Sequence, residues 1–279
     1  MTEITKEIKS ALRTIMTDKN VKIPLAIESG SRGWSFNSTD ADYDCRFVYV
    51  HDINWYLSVF SEGKKDTIQN ITQSDNDTLD LCGWDLRKFL QHLVKSNVSA
   101  ADWLQSDICY LYDEKVVILL KEVAERYFNP VSASWQYLSL AKKKYAQIAI
   151  NPKTASIKAY SYVLRPLINN IFIEQFNQIP FASFQKNLDA ISLENSGNPE
   201  ELRQAVNRYI EIRRGNTEWA TMESDETLLN FIREEIPRQE ERIKGAKFEK
   251  IHEHSCADEV FREIIEIVWD GENKSHEHK

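Results

Sequence analysis

The chain has 279 residues and a formal net charge of −8, from 35 basic and 43 acidic side chains. This length predicts two domains, and the acidic balance argues against a protein that grips long duplex DNA with its whole surface. Hydrophobic residues make up 42% of the chain, and only 8 glycines and 7 prolines interrupt it. This composition favours a globular protein rich in long helices over a disordered chain or a turn-rich sandwich.

The first part of the chain mixes helical and strand-like patterns. Residues 2–18 carry apolar side chains at helical spacing, which predicts a first helix. Strands are predicted at 23–27, 42–50, 67–72 and 78–84, and a short helix or extended edge at 52–60. Asp85 directly precedes a helical pattern at 86–95, where its carboxylate can accept hydrogen bonds from the first-turn amides.

From about residue 115 the pattern becomes helical throughout. The predicted helices cover 115–127, 134–149, 153–177, 181–191, 199–214, 223–243 and 256–268. Strands followed by a run of helices predict an α+β first domain over residues 1–128 and an all-helical second domain over residues 129–279. The polar tail at 270–279 is expected to be disordered.

The cysteines and the apolar runs predict a cytoplasmic location. The four cysteines are far apart in sequence and none forms a CxxC pair, so we expect reduced thiols. The N-terminus has no continuous apolar core typical of a signal peptide, and no apolar run approaches the roughly 18 residues of a membrane-spanning helix. We therefore expect no membrane partner.

The D-x-D pair Asp42 and Asp44 opens a predicted strand and is the first candidate site. Residues i and i+2 of a strand share one face and lie about 6.6 Å apart along it. Two carboxylates directed at one volume repel each other unless a cation lies between them, and Mg²⁺ prefers carboxylate oxygens and substrate phosphates. The alternative is that both are solvated carboxylates on an edge strand.

Gly30 and Ser31 follow the first predicted strand and open a predicted short helix. A glycine at this position lets a phosphate approach the backbone, and free amides at a helix start attract anions. Ser31 can add a hydroxyl donor, and Arg32 or Arg46 a charge-assisted hydrogen bond. The alternative is an ordinary Gly-Ser turn.

Together these motifs resemble a known family. Gly30-Ser31, ten intervening residues and D-x-D entering a strand resemble the signature of the nucleotidyltransferase superfamily that includes DNA polymerase β. The fuller strings GSRGWSF and STDADYDCRFVYV are similar to bacterial predicted nucleotidyltransferases linked to RNA repair. DLCGWDLRKFLQHLVKSN and KAYSYVLRPL also match that family, so the resemblance covers about residues 23–175. Relatives commonly carry glycine where this chain has Ser35, and serine where it has Ala41.

The resemblance implies a polymerase-β-like mixed sheet with helices and a third carboxylate that binds metal or accepts a proton. Asp80 is the preferred candidate, because its side chain faces away from the flanking apolar residues Leu79 and Leu81. Asp85 is the alternative, although its position before a helix gives it a structural role. The resemblance also implies two magnesium ions, a nucleoside triphosphate such as ATP, and an acceptor hydroxyl.

The helix predicted at 153–177 carries three further candidates. Lys158, Tyr162 and Arg165 fall at i, i+4 and i+7 and so share one helix face. The resemblance implies that Lys158 or Arg165 contacts phosphates and that Tyr162 stacks on the base. The alternative is a solvated basic stripe with a core tyrosine.

The function predicted from the sequence is a template-independent nucleotidyltransferase. Its acceptor is an RNA end, a protein or a small molecule, and neither the acceptor nor the oligomeric state follows from the sequence. A role in RNA repair is implied by the resemblance alone. Two other classes stay open: a nucleotide-sensing or antitoxin-like module without turnover, and a structural protein in which D-x-D is incidental.

Overall fold

The structure is a computed structural model. It describes residues 2–35, 37–38, 40–60, 63, 65–73, 78–150, 155–194, 198–217, 220–222, 225–249 and 251–273. By internal contacts the chain divides into two units. The first unit comprises Met1–Gly30, Asp42–Phe128 and Ile251–Lys279, and the second comprises Ser31–Ala41 and Asn129–Lys250.

A five-stranded mixed sheet forms the centre of the first unit. Its strands are β1 (Lys22–Glu28), β2 (Tyr43–Val50), β3 (Thr67–Gln73), β4 (Thr78–Asp85) and β5 (Cys109–Tyr112). They are ordered β3-β4-β2-β1-β5. Strands β2 and β4 pair in parallel, and the other neighbours pair antiparallel. The predicted α+β class and its mixed sheet are confirmed, and the four predicted strands correspond to β1–β4. Strand β5 was not predicted.

The helices of the first unit pack against this sheet or against one another. They are α1 (Glu3–Lys19), α3 (Ile53–Leu57), α4 (Leu86–Val94), α5 (Val98–Leu104), α6 (Glu114–Arg126) and α12 (Ser255–Asn273). The short helix α2 (Gly30–Gly33) follows β1 in the chain, and Gly30 is assigned to the first unit and Ser31 to the second. Residues 52–60 were predicted as a short helix or an extended edge, and they contain the short helix α3. Helix α5 was not predicted.

The apolar stripe of α1 fixes which face of the sheet carries polar side chains. Ile8, Leu12 and Ile15 are buried in one cluster with core-facing residues of the sheet. These partners include Ala26, Cys45, Phe47, Tyr49 and Leu81. Since side chains alternate along a strand, Asp44 and Arg46 of β2 point to the opposite face.

Helix α12 contacts α4 and α6 in the first unit. This differs from the predicted second domain, which included every residue after 128. Four apolar side chains of α12 are buried, namely Ala257, Val260, Ile264 and Ile265. The helix also extends to Asn273, so residues 270–273 of the expected disordered tail are helical. Residues 274–279 lie outside the described residues.

The described part of the second unit is built mainly from helices, as predicted. These are α7 (Pro130–Ile150), α8 (Ile157–Phe176), α9 (Phe184–Ala190), α10 (Pro199–Arg214) and α11 (Glu226–Gly245). Helix α8 lies at its centre, with Val163, Leu164, Leu167 and Ile168 fully buried. Residues 153–154 and 223–224 of the predicted helices lie outside the described residues.

Side-chain caps explain where most of these helices begin. A short polar side chain at the residue before the helix accepts a hydrogen bond from a first-turn backbone N–H, which otherwise lacks a partner. The capping residues are Asp52, Asp85, Asn97, Asp113, Ser156, Ser183, Asn198 and Asp225. The sequence therefore encodes helix starts locally, with Pro199 adding a favourable first residue to α10.

In the described part of the chain, no helix is long and apolar enough to cross a membrane. All four cysteines carry free thiols. Burial, followed by the nearby Glu28 carboxylate, raises the pKa of Cys45 far above its ordinary value, so this thiol is an inert core group.

Candidate functional site

Asp44 and Asp80 lie side by side on neighbouring strands. In the parallel pairing of β2 with β4 they are directly opposite one another. Both side chains are partly exposed, by 32% and 27%, while the flanking residues Cys45 and Leu81 are fully buried. The third carboxylate preferred from the sequence is therefore placed on the same face as Asp44.

Arg46 joins these two carboxylates. Its Nη2 donates to Asp44 Oδ1 at 3.0 Å and to Asp80 Oδ2 at 2.8 Å. Its Nη1 donates to the backbone carbonyls of Cys45 at 3.1 Å and Asp80 at 3.0 Å. The guanidinium is thus fixed at both ends of its fork and supplies positive charge between two acidic side chains. It follows Asp44 at i+2, which places it on the same strand face.

Glu28 supports Asp44 from the end of β1. Its side chain is 1% exposed, and its Oε1 accepts the backbone N–H of Asp44 at 2.9 Å. Its Oε2 accepts a hydrogen bond from the Tyr110 hydroxyl. Burial and the adjacent carboxylate raise the pKa of Tyr110, so its hydroxyl stays a donor. Glu28 therefore fixes the start of β2, where the candidate residues lie.

Gly30 permits the close approach of Asp44. A Cβ at Gly30 would lie 2.1 Å from Asp44 Oδ2, inside any allowed contact distance. Gly30 also has φ +59°, in the left-handed region that favours glycine. From the sequence, this glycine is expected to make room for an approaching phosphate. In the structure the space beside its Cα is taken by the Asp44 carboxylate.

Asp42, Asp44 and Asp80 supply the type of donor atom that a magnesium ion binds. Asp42 is exposed and directly precedes β2, two residues before Asp44. Asp80 Oδ1 is buried and has no hydrogen-bond partner within the described ranges, so one oxygen of this carboxylate is unsatisfied. Carboxylate oxygens are the ligands that magnesium prefers. Among the described residues, however, no three acidic, histidine or cysteine side chains are already gathered as a metal-binding group.

Asp85 has a different environment from Asp80. Its side chain caps α4 by accepting from the Arg87 N–H at 2.9 Å, and it accepts from the Tyr56 hydroxyl at 2.8 Å. It is 2% exposed, and this burial raises its pKa. These contacts give Asp85 the structural role that its position before a helix predicted.

A hydrogen-bonded side chain holds together the ends of the loop that follows Gly30. Arg32 donates from Nε and Nη2 to the Ala41 carbonyl, at 3.0 Å and 2.8 Å, and Ser31 is buried. Ser35 has φ +67°, so the position where relatives commonly carry glycine adopts a conformation that favours glycine. The Ser35 carbonyl accepts from Arg214 at 2.9 Å, which helps to hold the turn.

Two of the candidates on α8, Tyr162 and Arg165, contact an aromatic residue that was not predicted from the sequence. The Arg165 guanidinium lies 4.5 Å from the centre of the Trp34 ring, and the Tyr162 ring packs edge-on against Trp34 at 5.3 Å. Arg165 is 5% exposed, while Lys158 and Tyr162 are partly exposed. Lys144 lies 5.2 Å from the Tyr162 ring. The second unit thus contains a cluster of aromatic rings and cations.

The comparison with protein families decides what this chain is related to. The family described as RlaP, RNA repair pathway DNA polymerase beta family, matches residues 4–263. The chain belongs to the RlaP family. Membership indicates a nucleotidyltransferase of the DNA polymerase β type, in agreement with the D-x-D pair and the strand that carries it.

A relative of this RlaP chain is similar to it over nearly the whole length of both proteins. The Uncharacterized protein YcgL of Bacillus subtilis (strain 168) is 32% identical over 264 residues, which cover 95% of this chain and 97% of YcgL. A crystal structure of a nucleotidyltransferase-like protein from Exiguobacterium sibiricum 255-15 covers 96% of this chain and 92% of its own. That alignment has a TM-score of 0.34 and 10% identity.

The structure brings some predicted residues of this RlaP chain together. Gly30, Asp44 and Asp80 meet in the first unit, whereas the α8 candidates lie in the second. Sequence reasoning missed two residues. Glu28 is a charged residue directly after the apolar run Ile23–Ile27, and Trp34 is an aromatic residue within the GSRGW string, so both had a local signal.

Proposed function

We propose that this chain is a template-independent nucleotidyltransferase, which transfers a nucleoside monophosphate from a nucleoside triphosphate to an acceptor hydroxyl. The observation that carries the proposal is the pairing of Asp44 with Asp80 on one sheet face beside Gly30. Family membership supports it and favours an RNA end as the acceptor. We place the activity in the cytoplasm, where the four free thiols stay reduced.

The roles proposed for the acidic residues are supported by their placement. Asp42 and Asp44 would hold magnesium, two ions in the arrangement that the resemblance implies, with Asp80 as a further ligand. Bound magnesium supplies positive charge to the phosphates and to the attacking and leaving oxygens. Asp80, whose side chain lies beside Asp44 and is 27% exposed, would accept the proton of the acceptor hydroxyl.

The transfer itself exchanges one bond for another. The acceptor oxygen bonds to the α-phosphorus as its proton passes to Asp80, and the bond from the α-phosphorus to the bridging oxygen breaks. Pyrophosphate leaves with the electron pair of that bond.

Gly30, Ser31 and Arg32 are proposed to contact the phosphates, as are Lys158 and Arg165. Tyr162 is proposed to stack on the base.

A thermal-shift panel tests nucleotide binding. Wild type and Asp44→Ala are heated with ATP, CTP, GTP or UTP, each with and without magnesium. At a concentration of about 100 times Kd, a ligand that binds only the folded state stabilises it by about 2.7 kcal/mol. We expect a magnesium-dependent rise in Tm for at least one nucleotide in the wild type, and none in Asp44→Ala.

The control in this panel is the Tm without nucleotide. It should be nearly equal in the two proteins, because the Asp44 side chain is partly exposed. Equal nucleotide shifts in wild type and Asp44→Ala would contradict the assignment of Asp44. The same shift with and without magnesium would contradict the metal-dependent mechanism.

A further inference from the structure

Arg46 is the cation of this site that the proposed mechanism leaves unused. Its side chain is 20% exposed and makes four hydrogen bonds, two to carboxylates and two to backbone carbonyls. A surface arginine with one carboxylate partner is mobile and weakly bound. The Arg46 guanidinium is instead anchored to both strands that carry the acidic residues, so its position is part of the fold.

The position of its Nη2 atom is informative. This one nitrogen donates to Asp44 and to Asp80, at 3.0 Å and 2.8 Å, so it lies between the two carboxylates. In a two-ion mechanism a divalent cation binds to carboxylates that face each other in this way. A guanidinium and a divalent cation a few Å apart repel strongly in a partly buried site. The two do not occupy this position together.

We propose that Arg46 supplies the positive charge between Asp44 and Asp80 in place of a second magnesium ion. The centre then takes one divalent cation, held by Asp42 and Asp44. Asp80 then acts as the partner of Arg46 through its Oδ2 atom. This inference rests on the proposed function and changes the number of ions that it uses.

The alternative is that an incoming ion displaces the Arg46 guanidinium. The four hydrogen bonds that hold the guanidinium argue against this. Moving the guanidinium aside would break its hydrogen bonds to the Cys45 and Asp80 carbonyls as well as both charge-assisted bonds. Arg46 is therefore a positioning residue. It orients Asp44 through Oδ1 and Asp80 through Oδ2, and in the described structure Asp80 Oδ1 is left without a protein donor.

Manganese titration of the full chain without nucleotide tests this inference. Electron paramagnetic resonance counts the bound Mn²⁺ ions and gives their Kd. We expect Arg46→Gln to gain a manganese site or to bind the ion about tenfold or more tightly, because a neighbouring positive charge is lost. Arg46→Lys keeps the charge and should bind as wild type does. Adding Asp80→Asn to Arg46→Gln should remove the gain.

Two outcomes would overturn the inference. One is an Arg46→Gln protein that binds no more ions than wild type and binds them no more tightly. The other is a wild type that binds two ions, one of which is lost in Asp80→Asn. If Arg46→Gln does not fold by circular dichroism, Asp80→Asn alone decides: it should keep the ion count of wild type, whereas Asp44→Asn should lose the ion.

The manganese titration tests the role of Arg46, and the nucleotide panel tests the proposed transferase, so either hypothesis can fail without the other. The counting uses the metal alone, so its result holds whichever nucleotide binds. A normal nucleotide shift with an unchanged Arg46→Gln titration overturns the role of Arg46 and leaves the proposed transferase in place. An Asp80-dependent gain in Arg46→Gln without any nucleotide shift supports Arg46 and contradicts the transferase.

Discussion

Replacing Asp80 with Asn is expected to lower turnover by about 100- to 10,000-fold, the usual contribution of a positioned proton acceptor. Asn keeps the size of the side chain and can still accept a hydrogen bond from Arg46. The free energy of unfolding should therefore change by less than about 1 kcal/mol, since the pair is partly exposed. Steady-state pyrophosphate release and urea unfolding measure the two effects separately.

Asp85→Ala is the matched control, because Asp85 is the neighbouring acidic residue that the sequence left as an alternative. Its loss removes the cap of α4 and the partner of the Tyr56 hydroxyl. We expect a cost of about 0.5–2 kcal/mol in unfolding free energy, with turnover per folded molecule kept. Full turnover in Asp80→Asn combined with loss of turnover in a stable Asp85→Ala would reverse the assignment.

Arg238→Met should cause the largest loss of stability, about 3–5 kcal/mol of unfolding free energy. Arg238 donates to both oxygens of Glu174, at 3.0 Å and 2.8 Å, and to both oxygens of Glu235, at 2.7 Å and 2.6 Å. The Glu235 side chain is only 3% exposed. Hydrogen bonds to Glu235 and then to Glu174 raise the pKa of Arg238. Removing the guanidinium leaves the buried Glu235 carboxylate without its positively charged partner.

Urea denaturation of Arg238→Met and of Arg238→Met with Glu235→Gln measures this effect. The double variant has no buried charge at position 235, and its amide can still bond to Gln239, which contacts Glu235 at 2.7 Å. It should recover much of the lost stability. If the single variant loses less than about 1 kcal/mol, the ion pair is not a stabilising element of the second unit.

Local sequence signals predicted most of the helices and strands because period and caps are encoded locally. Strand β5 was missed because its four residues, Cys109–Tyr112, are too few to show an alternation. The packing of α12 in the first unit was also missed. An amphipathic helix shows that it buries one face, but its pattern does not say against which partner.

The candidate site was predictable as far as its motifs extend along the chain. Gly30 and the D-x-D pair are close in sequence and have a recognisable spacing. The bridge from Arg46 to Asp80 depends on the register between β2 and β4, which sets Asp44 opposite Asp80 across 36 residues of sequence. The contact of Glu28 with Tyr110 depends in the same way on strand pairing, and no local pattern encodes such a register.

Label transfer from a nucleoside triphosphate tests the central claim most directly. Wild type and Asp44→Asn are incubated with magnesium, an RNA with a free 3′ end, and each nucleotide labelled at either the α- or the γ-phosphate. We predict that the wild type moves the α-label to the RNA or to another acceptor in the mixture, and that Asp44→Asn moves none. Transfer of the γ-label, or equal α-label transfer by both proteins, would contradict the account.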